Sequence, residues 1–302
     1  MKHLRRLSVS WPAWCGLLCL LAANFVVTAS AVGDSSDAFA RGREQFRTRD
    51  FAAAATTFER LVTTDPKNSK YHQWLGRALG LQAQQKGIAS AAFSVSKVRS
   101  ELEQAVSLDP ENVEARVDLI VFYRSVPGLL GGSKPKADQQ LAEIRRRDPS
   151  LAAQVEGDIF ALDKNPVEAE LAYLKAIRAN PSRAMPYVRL ALVQQYYQKW
   201  DAAYASLQRA LALDPKLPLA VYQVGRTGAL SGERLDVAEQ AMKRYLQLKP
   251  ELEDPTFASA HYRLGNIYQK KGDVASARAE YETSLQLNPR NKDVRAALQS
   301  LK

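Results

Sequence analysis

AHYRLGNIYQKKGDVASARAEYETSLQLNP, residues 260–289, is the stretch that decides the fold. Leu264, Gly265 and Tyr268, then Ala277 and Tyr281, recur at the three-and-four spacing that gathers side chains on one face of an α-helix. His261 and Ser284 are the polar exceptions. Gly272 tolerates the left-handed backbone that ends a helix, Asp273 suits the cap of the next one, and Pro289 cannot continue it. The stretch reads as helix, turn, helix.

Packed helices lie about 8–10 Å apart, so their closest approach needs a residue with almost no side chain on each. Gly265 and Ala277 are expected to supply those positions. Tyr268 and Tyr281 are then expected to fill the space toward the next hairpin, because a lone helix pair cannot bury its apolar face.

The phrase recurs seven times between residues 37 and 289, each copy closing on a proline: Pro66, Pro110, Pro149, Pro181, Pro215, Pro250 and Pro289. The intervals are 44, 39, 32, 34, 35 and 39 residues. Twelve residues before each proline stands a small or short side chain: Ala54, Val98, Ala137, Ala169, Ala203, Ala238 and Ala277. Eight before it stands a larger one: Phe58, Leu102, Leu141, Tyr173, Leu207, Met242 and Tyr281. A period near 34 is that of a stacked helical solenoid. Such an array has no single central core, so one continuous body is expected.

These positions resemble the tetratricopeptide repeat, whose pattern is Trp-x2-Leu-Gly-x2-Tyr followed by Ala-x3-Phe-x2-Ala-x4-Pro. Leu75-Gly76, Leu190-Ala191, Val224-Gly225 and Leu264-Gly265 match its first helix, and the seven sets above match its second. The resemblance covers roughly residues 37 to 289. It implies an all-α, right-handed α-solenoid of about seven helix-turn-helix repeats over 32–289, ending near 66, 110, 149, 181, 215, 250 and 289, with a capping helix in 290–302. The cap shows Lys292, Arg295 and Gln299 on its outer side.

Two copies depart from the minimal unit. The second carries extra residues between Gly76 and Val98, including Gly87 and Ala89-Ser90-Ala91-Ala92, which suit longer helices. The third holds Pro127-Gly128-Leu129-Leu130-Gly131-Gly132-Ser133, read as a loop. Together they resemble a group of exported bacterial tetratricopeptide proteins with a long second repeat and a Pro-Gly-x2-Gly-Gly loop.

Residues 1–31 differ from the rest. Lys2, Arg5 and Arg6 precede an apolar stretch from Trp14 to Val27, and Ala29-Ser30-Ala31 follows. This is the layout of a secretory signal peptide with cleavage after Ala31. The apolar run is short beside the roughly 20 residues of a membrane-spanning helix; the alternative is an uncleaved anchor. Arg5-Arg6 lacks the remainder of a twin-arginine signal. Both cysteines, Cys15 and Cys19, lie in this segment, so the mature chain would enter an oxidising space with no thiol. A periplasmic or secreted protein without stable membrane insertion is expected.

Loss of Lys2, Arg5 and Arg6 lowers the formal charge from +10 to +7, spread over the repeats. Basic surfaces attract nucleic acid, anionic lipid or acidic protein. Export and the lack of a base-stacking module set nucleic acid aside. Apolar residues at 46% and charged residues at 25% describe an ordered chain.

Catalysis lacks raw material. Only His72 and His261 remain after processing, both at packing positions of the repeat, so no metal, cofactor or nucleophilic triad is expected. Ser133-Lys134-Pro135-Lys136 has Ser-x-x-Lys spacing without the Lys-Thr-Gly element of serine-lysine acyl enzymes. Gly128 to Lys134 lacks the strand and the Lys-Ser order of a phosphate loop.

The resemblance implies that first helices line a concave groove. Counting from the Leu-Gly pair directs Arg43, Arg47, Lys70, Arg77, Arg124, Arg189, Arg226, Arg263 and Lys270 into it, against Glu114, Asp118 and Asp158. Trp74, Tyr196, Tyr222, Tyr262 and Asn266 join them, and aromatics with arginines are the residue types that anchor interfaces. The carboxylate clamp of tetratricopeptide co-chaperones wants Lys at the fifth and Asn at the ninth position of one repeat. Here Tyr262 precedes Asn266, so chaperone-tail binding is not carried over. The expected function is a non-enzymatic protein-protein interaction scaffold of the bacterial cell envelope, its groove taking a partner segment of acidic character. The alternative is an accessory or docking subunit of an envelope enzyme or polymer-assembly complex, using the 127–136 loop or the convex face.

Overall fold

The computed structural model describes residues 33–86, 88–248, 250 and 254–301. The expected export segment, residues 1–31, lies outside them. Every regular element among the described residues is helical: α1 (Gly33–Arg47), α2 (Phe51–Thr64), α3 (Ser69–Lys86), α4 (Ile88–Leu108), α5 (Val113–Ser125), a 3-10 turn (Gly128–Leu130), α6 (Lys134–Arg147), α7 (Pro149–Leu162), α8 (Pro166–Ala179), α9 (Ala184–Tyr196), α10 (Trp200–Leu213), α11 (Pro218–Ser231), α12 (Leu235–Gln247), α13 (Phe257–Lys271), α14 (Val274–Leu287) and α15 (Lys292–Ser300). None is long and apolar enough to cross a membrane.

The turn chemistry places the boundaries. Asp50, Asn112, Asp148, Thr256 and Asp273 each accept a backbone N–H of the helix they open. Asp65, Asn180, Asp214 and Asn288, each just before a closing proline, cap the helix they end. Pro149 behaves differently. It sits in the first turn of α7 behind the cap Asp148, where its missing N–H costs nothing.

Two compact units, one ending at Ala137 and the other beginning at Asp138, stand where the sequence reading expects one continuous body. In the first, α1 packs on α2, α2 on α3, α3 on α4 and α4 on α5, and α3 also touches α5. The extra residues of the second copy lengthen its hairpin as expected, α3 to 18 residues and α4 to 21. In the second unit the pairs α7/α8, α9/α10, α11/α12 and α13/α14 are joined through α8–α9, α10–α11 and α12–α13 contacts. The first helices α9 and α11, and α11 and α13, also meet directly, and α15 closes on α14 through buried Val294.

All fourteen residues found twelve and eight positions before the prolines are buried. Burial of each Leu, Phe or Met among them contributes about 1.5–3 kcal/mol over exposure. The way the notch is filled differs from expectation. A Cβ on Gly265 would stand 2.5 Å from the ring of Tyr281, and one on Gly225 2.6 Å from Met242 Cγ. The glycine therefore receives the large residue of its own hairpin, and at Gly225 the Ala238 carbonyl also lies 3.0 Å from where a Cβ would stand. Tyr281 OH lies 2.7 Å from Asn266 Oδ1 and 2.8 Å from Gln269 Oε1, both on α13, and shares its one hydrogen between them. Tyr268 leans back on the preceding hairpin, donating to Glu239 Oε1 at 3.0 Å. Tyr281 also shares a core cluster with Val294 and Leu301 beyond α14, as expected of a residue that packs toward the next element.

The Pro127–Ser133 connection is a loop built round its 3-10 turn. Ser133 N–H donates to the Tyr123 carbonyl at 2.9 Å and Gly132 N–H to that of Pro127 at 3.2 Å. A Cβ on Gly132 would stand 1.7 Å from the Val126 carbonyl oxygen, so only glycine fits.

Candidate functional site

Consecutive first helices meet at a fixed register. The residue one past the notch on one helix faces the residue two before the notch position on the next, and this pairing governs where the basic residues go. In the first unit Arg43 lies over the Trp74 ring at 5.4 Å. Arg77 Nε donates to Asp118 Oδ2 at 2.6 Å. In the second unit Asp158 Oδ1 is 3.3 Å from Arg189 Nε. Leu192 and Gln223 occupy the register between α9 and α11, and Arg226 and Arg263 occupy it between α11 and α13.

These placements redistribute the expected groove residues. Arg77 and Arg189 keep 8% and 5% of their surface, and each is matched by an acid, so neither presents a free charge. Trp74 packs among Phe39, Phe46 and Phe58 with centroids 5.4–6.1 Å away, and Arg77 covers it at 5.0 Å. Tyr222 is buried edge-on against Tyr245 at 5.3 Å. Arg77, Arg189 and Tyr222 are interior groups of the repeat stack, and Trp74 is half-buried among its rings. Arg47 turns outward and pairs with Glu44 at 2.6 Å. Lys70 and Lys270 are exposed, Arg124 is half-buried, and Tyr196 is an exposed ring edge-on to Tyr197 at 5.3 Å.

Two of the three acids counted against the groove, Asp118 and Asp158, are likewise interior. Asp118, closed off from water, accepts from Gln73 Nε2 at 2.8 Å as well as from Arg77. Gln73 Oε1 accepts from Asn112 Nδ2 at 3.3 Å, and Ser69 Oγ accepts from the same amide at 2.9 Å. Burial pushes the Asp118 carboxyl up, and Arg77 opposes it. Asp158 accepts from Tyr173 OH at 2.8 Å; burial raises it too, against the pull of Arg189. Glu114 is half-buried. The histidines are packing groups: His72 Nδ1 lies 2.6 Å from Glu101 Oε2 and Nε2 2.9 Å from the Pro66 carbonyl, and His261 Nδ1 lies 2.6 Å from Glu280 Oε2.

What remains half-open on the first-helix face of the second unit is a cluster from α9, α11 and α13. Arg226 donates to Gln195 Oε1. Gln195 is itself fixed by its Nε2, which donates to Thr227 Oγ1 at 2.8 Å and to the Gln223 carbonyl at 3.3 Å. Arg263 lies over the Tyr262 ring at 5.1 Å, and its buried Nε has no hydrogen-bond partner among the described residues. Burial first, and then the charge of Arg263, lower Arg226 to about 10. Asn266 faces this cluster's helix but spends its oxygen on Tyr281. The sequence reading missed Gln195, Gln223 and Thr227. Their signal was available in the register: buried polar residues that recur beside the notch of α9 and α11 have to answer one another across the helix pair.

Comparison with known proteins bears on the repeats and the fold. Residues 39–85 and 258–291 match family models of the tetratricopeptide repeat. The peroxisomal targeting signal receptor of Candida albicans is 28% identical over 177 residues, which is 55% of this chain and 28% of the receptor. Protein O-mannosyl-transferase TMTC1 of Homo sapiens is 30% identical over 118 residues, 38% of this chain and 13% of that protein. The chain thus spans well under half the length of either relative. Among solved structures, the APC/C hetero-tetramer Cut9-Hcn1 superposes with a TM-score of 0.54 at 18% identity, over 89% of this chain and 50% of that one. A tetratricopeptide repeat protein from Parabacteroides merdae gives 0.49 at 13% identity, over 88% and 98%. The chain carries tetratricopeptide repeats near both ends of its array, and its fold is an all-α solenoid of such helical hairpins.

Proposed function

We propose that this protein is a non-enzymatic interaction scaffold that holds a segment of another protein on the first-helix face of its second unit, and that it works in the bacterial cell envelope after export. Stacked helical repeats create extended binding surfaces. The observation that carries the reading is the direct packing of α9 on α11 and α11 on α13, which joins half-buried Arg226, Tyr262 and Arg263 over buried Gln195 into one polar, basic surface. An acidic segment complements that surface. The amino-terminal pattern that ends in Ala29-Ser30-Ala31 supports export, as does the resemblance to exported bacterial proteins with a long second hairpin and a Pro-Gly loop.

A pull-down from envelope extract tests both parts. Replacing Arg226 and Arg263 with Glu removes the partner that wild type recovers while helical circular dichroism is unchanged; undiminished recovery sinks the reading. Arg189 is left alone, because its loss would strand Asp158. Recovery of a chain whose amino terminus follows Ala31 checks export, and an intact Met1 on the membrane fraction contradicts cleavage.

A second reading has its own observation. Leu129 is 102% exposed at the tip of a hydrogen-bonded loop, beside exposed Lys134 and Lys136. A fixed apolar tip with a basic rim suits docking onto an envelope enzyme or polymer-assembly complex. Leu129→Asp leaves the fold intact and abolishes recovery only if the loop is the docking element.

A further inference from the structure

Where the α9–α10 turn meets the α11–α12 turn, Gln198, Lys199, Trp200, Asp201, Ala202 and Glu233 line an open cleft of about 390 Å³. That size lies within the roughly 300–1,000 Å³ of small-molecule sites. The two turns are tied together. Arg234 donates to Asp201 Oδ1 at 2.6 Å and covers the Tyr204 ring at 4.6 Å, and Tyr204 OH donates to the Glu233 carbonyl at 3.4 Å. Lys199 reaches back to Glu170 at 3.7 Å. Cross-turn pairs of this kind recur at Lys271 and Asp236, 2.7 Å apart, and fasten one hairpin to the next. Trp200 departs from the repeat. Its place, three before the buried alanine of a second helix, holds Pro166 in α8, Leu235 in α12 and Val274 in α14. An aliphatic side chain meets the packing need there, whereas the indole adds a flat face and an N–H. Half-buried Trp200 makes no hydrogen bond or ring contact with its side chain to any other described residue. The exposed Gln198 amide and Glu233 carboxylate are likewise given to no described partner.

We propose that this cleft binds an uncharged pyranose ring of a glycan, stacked on Trp200. The groups left unspent set the chemistry. A pyranose with equatorial hydroxyls presents a flat C–H face, which the negative face of an indole attracts, and a rim of hydroxyls that both donate and accept. Glu233 has two carboxylate oxygens to accept from adjacent hydroxyls, and the Gln198 amide both donates and accepts. The indole N–H lies in the plane of the ring, which leaves it for a hydroxyl of the neighbouring sugar unit. Lys199 and Asp201 are already paired, so the Glu233 charge is the one the lining leaves unmatched. It turns acidic sugars and acidic peptides away by like charge. The cleft lies on the turn edge and prefers chemistry opposite to that of the first-helix face, so it stands apart from the scaffold reading.

The probes are methyl β-glucoside, cellopentaose, chitopentaose, an oligogalacturonate and a proline decamer. Each is titrated into the full-length protein while the indole N–H resonance of Trp200, identified among four tryptophans from Trp200→Phe, is followed by NMR. A saturable shift with a neutral pentasaccharide and none with oligogalacturonate is the expected result. A shift with methyl β-glucoside as well supports a free sugar as the source, and a shift with the pentasaccharides alone supports a glycan chain. Trp200→Leu and Glu233→Ala are each expected to weaken binding about tenfold or more by calorimetry, with Arg226→Gln unchanged. Trp200→Leu restores the aliphatic residue of the other repeats and should keep the circular dichroism and Tm of wild type, which separates loss of the site from loss of the fold. No Trp200 shift at millimolar neutral sugar, a stronger shift with oligogalacturonate or the proline decamer, or full affinity in Trp200→Leu overturns the proposal.

Discussion

Arg77 Nε donates to Asp118 Oδ2 at 2.6 Å, and the pair is 7% and 0% exposed. Removing the arginine leaves a carboxyl in the interior with no countercharge, which costs about 3–5 kcal/mol. Arg77→Gln is therefore expected to lower the unfolding free energy by that amount, read from urea unfolding. Arg226→Gln removes one of two like charges and should leave stability within about 0.5 kcal/mol of wild type or above it. Burial raises the Asp118 proton affinity in the folded state, so its contribution is present below the ordinary carboxylate range and is lost as pH rises through the raised value. The Arg77→Gln protein should accordingly regain stability on acidification, with unfolding followed at several pH values.

Gly265 and Tyr281 make a second pair whose sizes are linked. Gly265→Ala puts a methyl where the ring lies 2.5 Å away and is expected to cost about 1–3 kcal/mol. Tyr281→Ala empties a fully buried site and is expected to cost about 3–5 kcal/mol. Combined, they should cost less than their sum, because the new methyl enters the space the ring vacates. Additive losses in a double-mutant cycle would show that the ring fills some other space.

Gln198 turns from α9 into α10 with a φ of 57°, where glycine is normally favoured and where Gly272 serves the α13–α14 turn at 80°. A side chain in that region costs about 1–2 kcal/mol, partly offset when glycine loosens the unfolded chain. Gln198→Gly is expected to raise stability by up to about 1 kcal/mol and Gly272→Ala to lower it, both read from thermal unfolding.

Glu239 ties α12 to α13. Its carboxylate accepts from Lys243 at 2.7 Å and Lys271 at 2.6 Å, and those bonds hold it down to about 2 from an ordinary 4.5. A lowered carboxyl contributes stability above its unfolded value and loses it as pH falls through the folded one. Wild type should therefore lose more stability than Glu239→Gln between pH 4.5 and about 2. Parallel acid-unfolding curves would remove Glu239 from the contacts that join these hairpins.

The hairpins were legible because they are local. Ala277, Tyr281 and Pro289 lie within one helix and its exit, and their spacing alone states which face is buried and where the chain turns. The filling of the notch was not, since Gly265 and Ala277 are both small and spacing does not tell which of them opposes Tyr281. The basic groove was read from residue type by counting positions on each helix separately. That method cannot see Asp118, 41 residues away, closing on Arg77, or Asp158 closing on Arg189. Comparing the residue after the notch of one first helix with the residue two before it on the next would have separated the matched arginines from Arg226 and Arg263.

Photocrosslinking from the first-helix face tests the account most directly. A benzoylphenylalanine at Tyr262 should capture one and the same envelope protein as a probe at Lys270, lose it when Arg226 and Arg263 become Glu, and have no counterpart at exposed Leu171 on α8. Capture of that protein from Leu171 or from the Leu129 loop, with none from Tyr262, would contradict it.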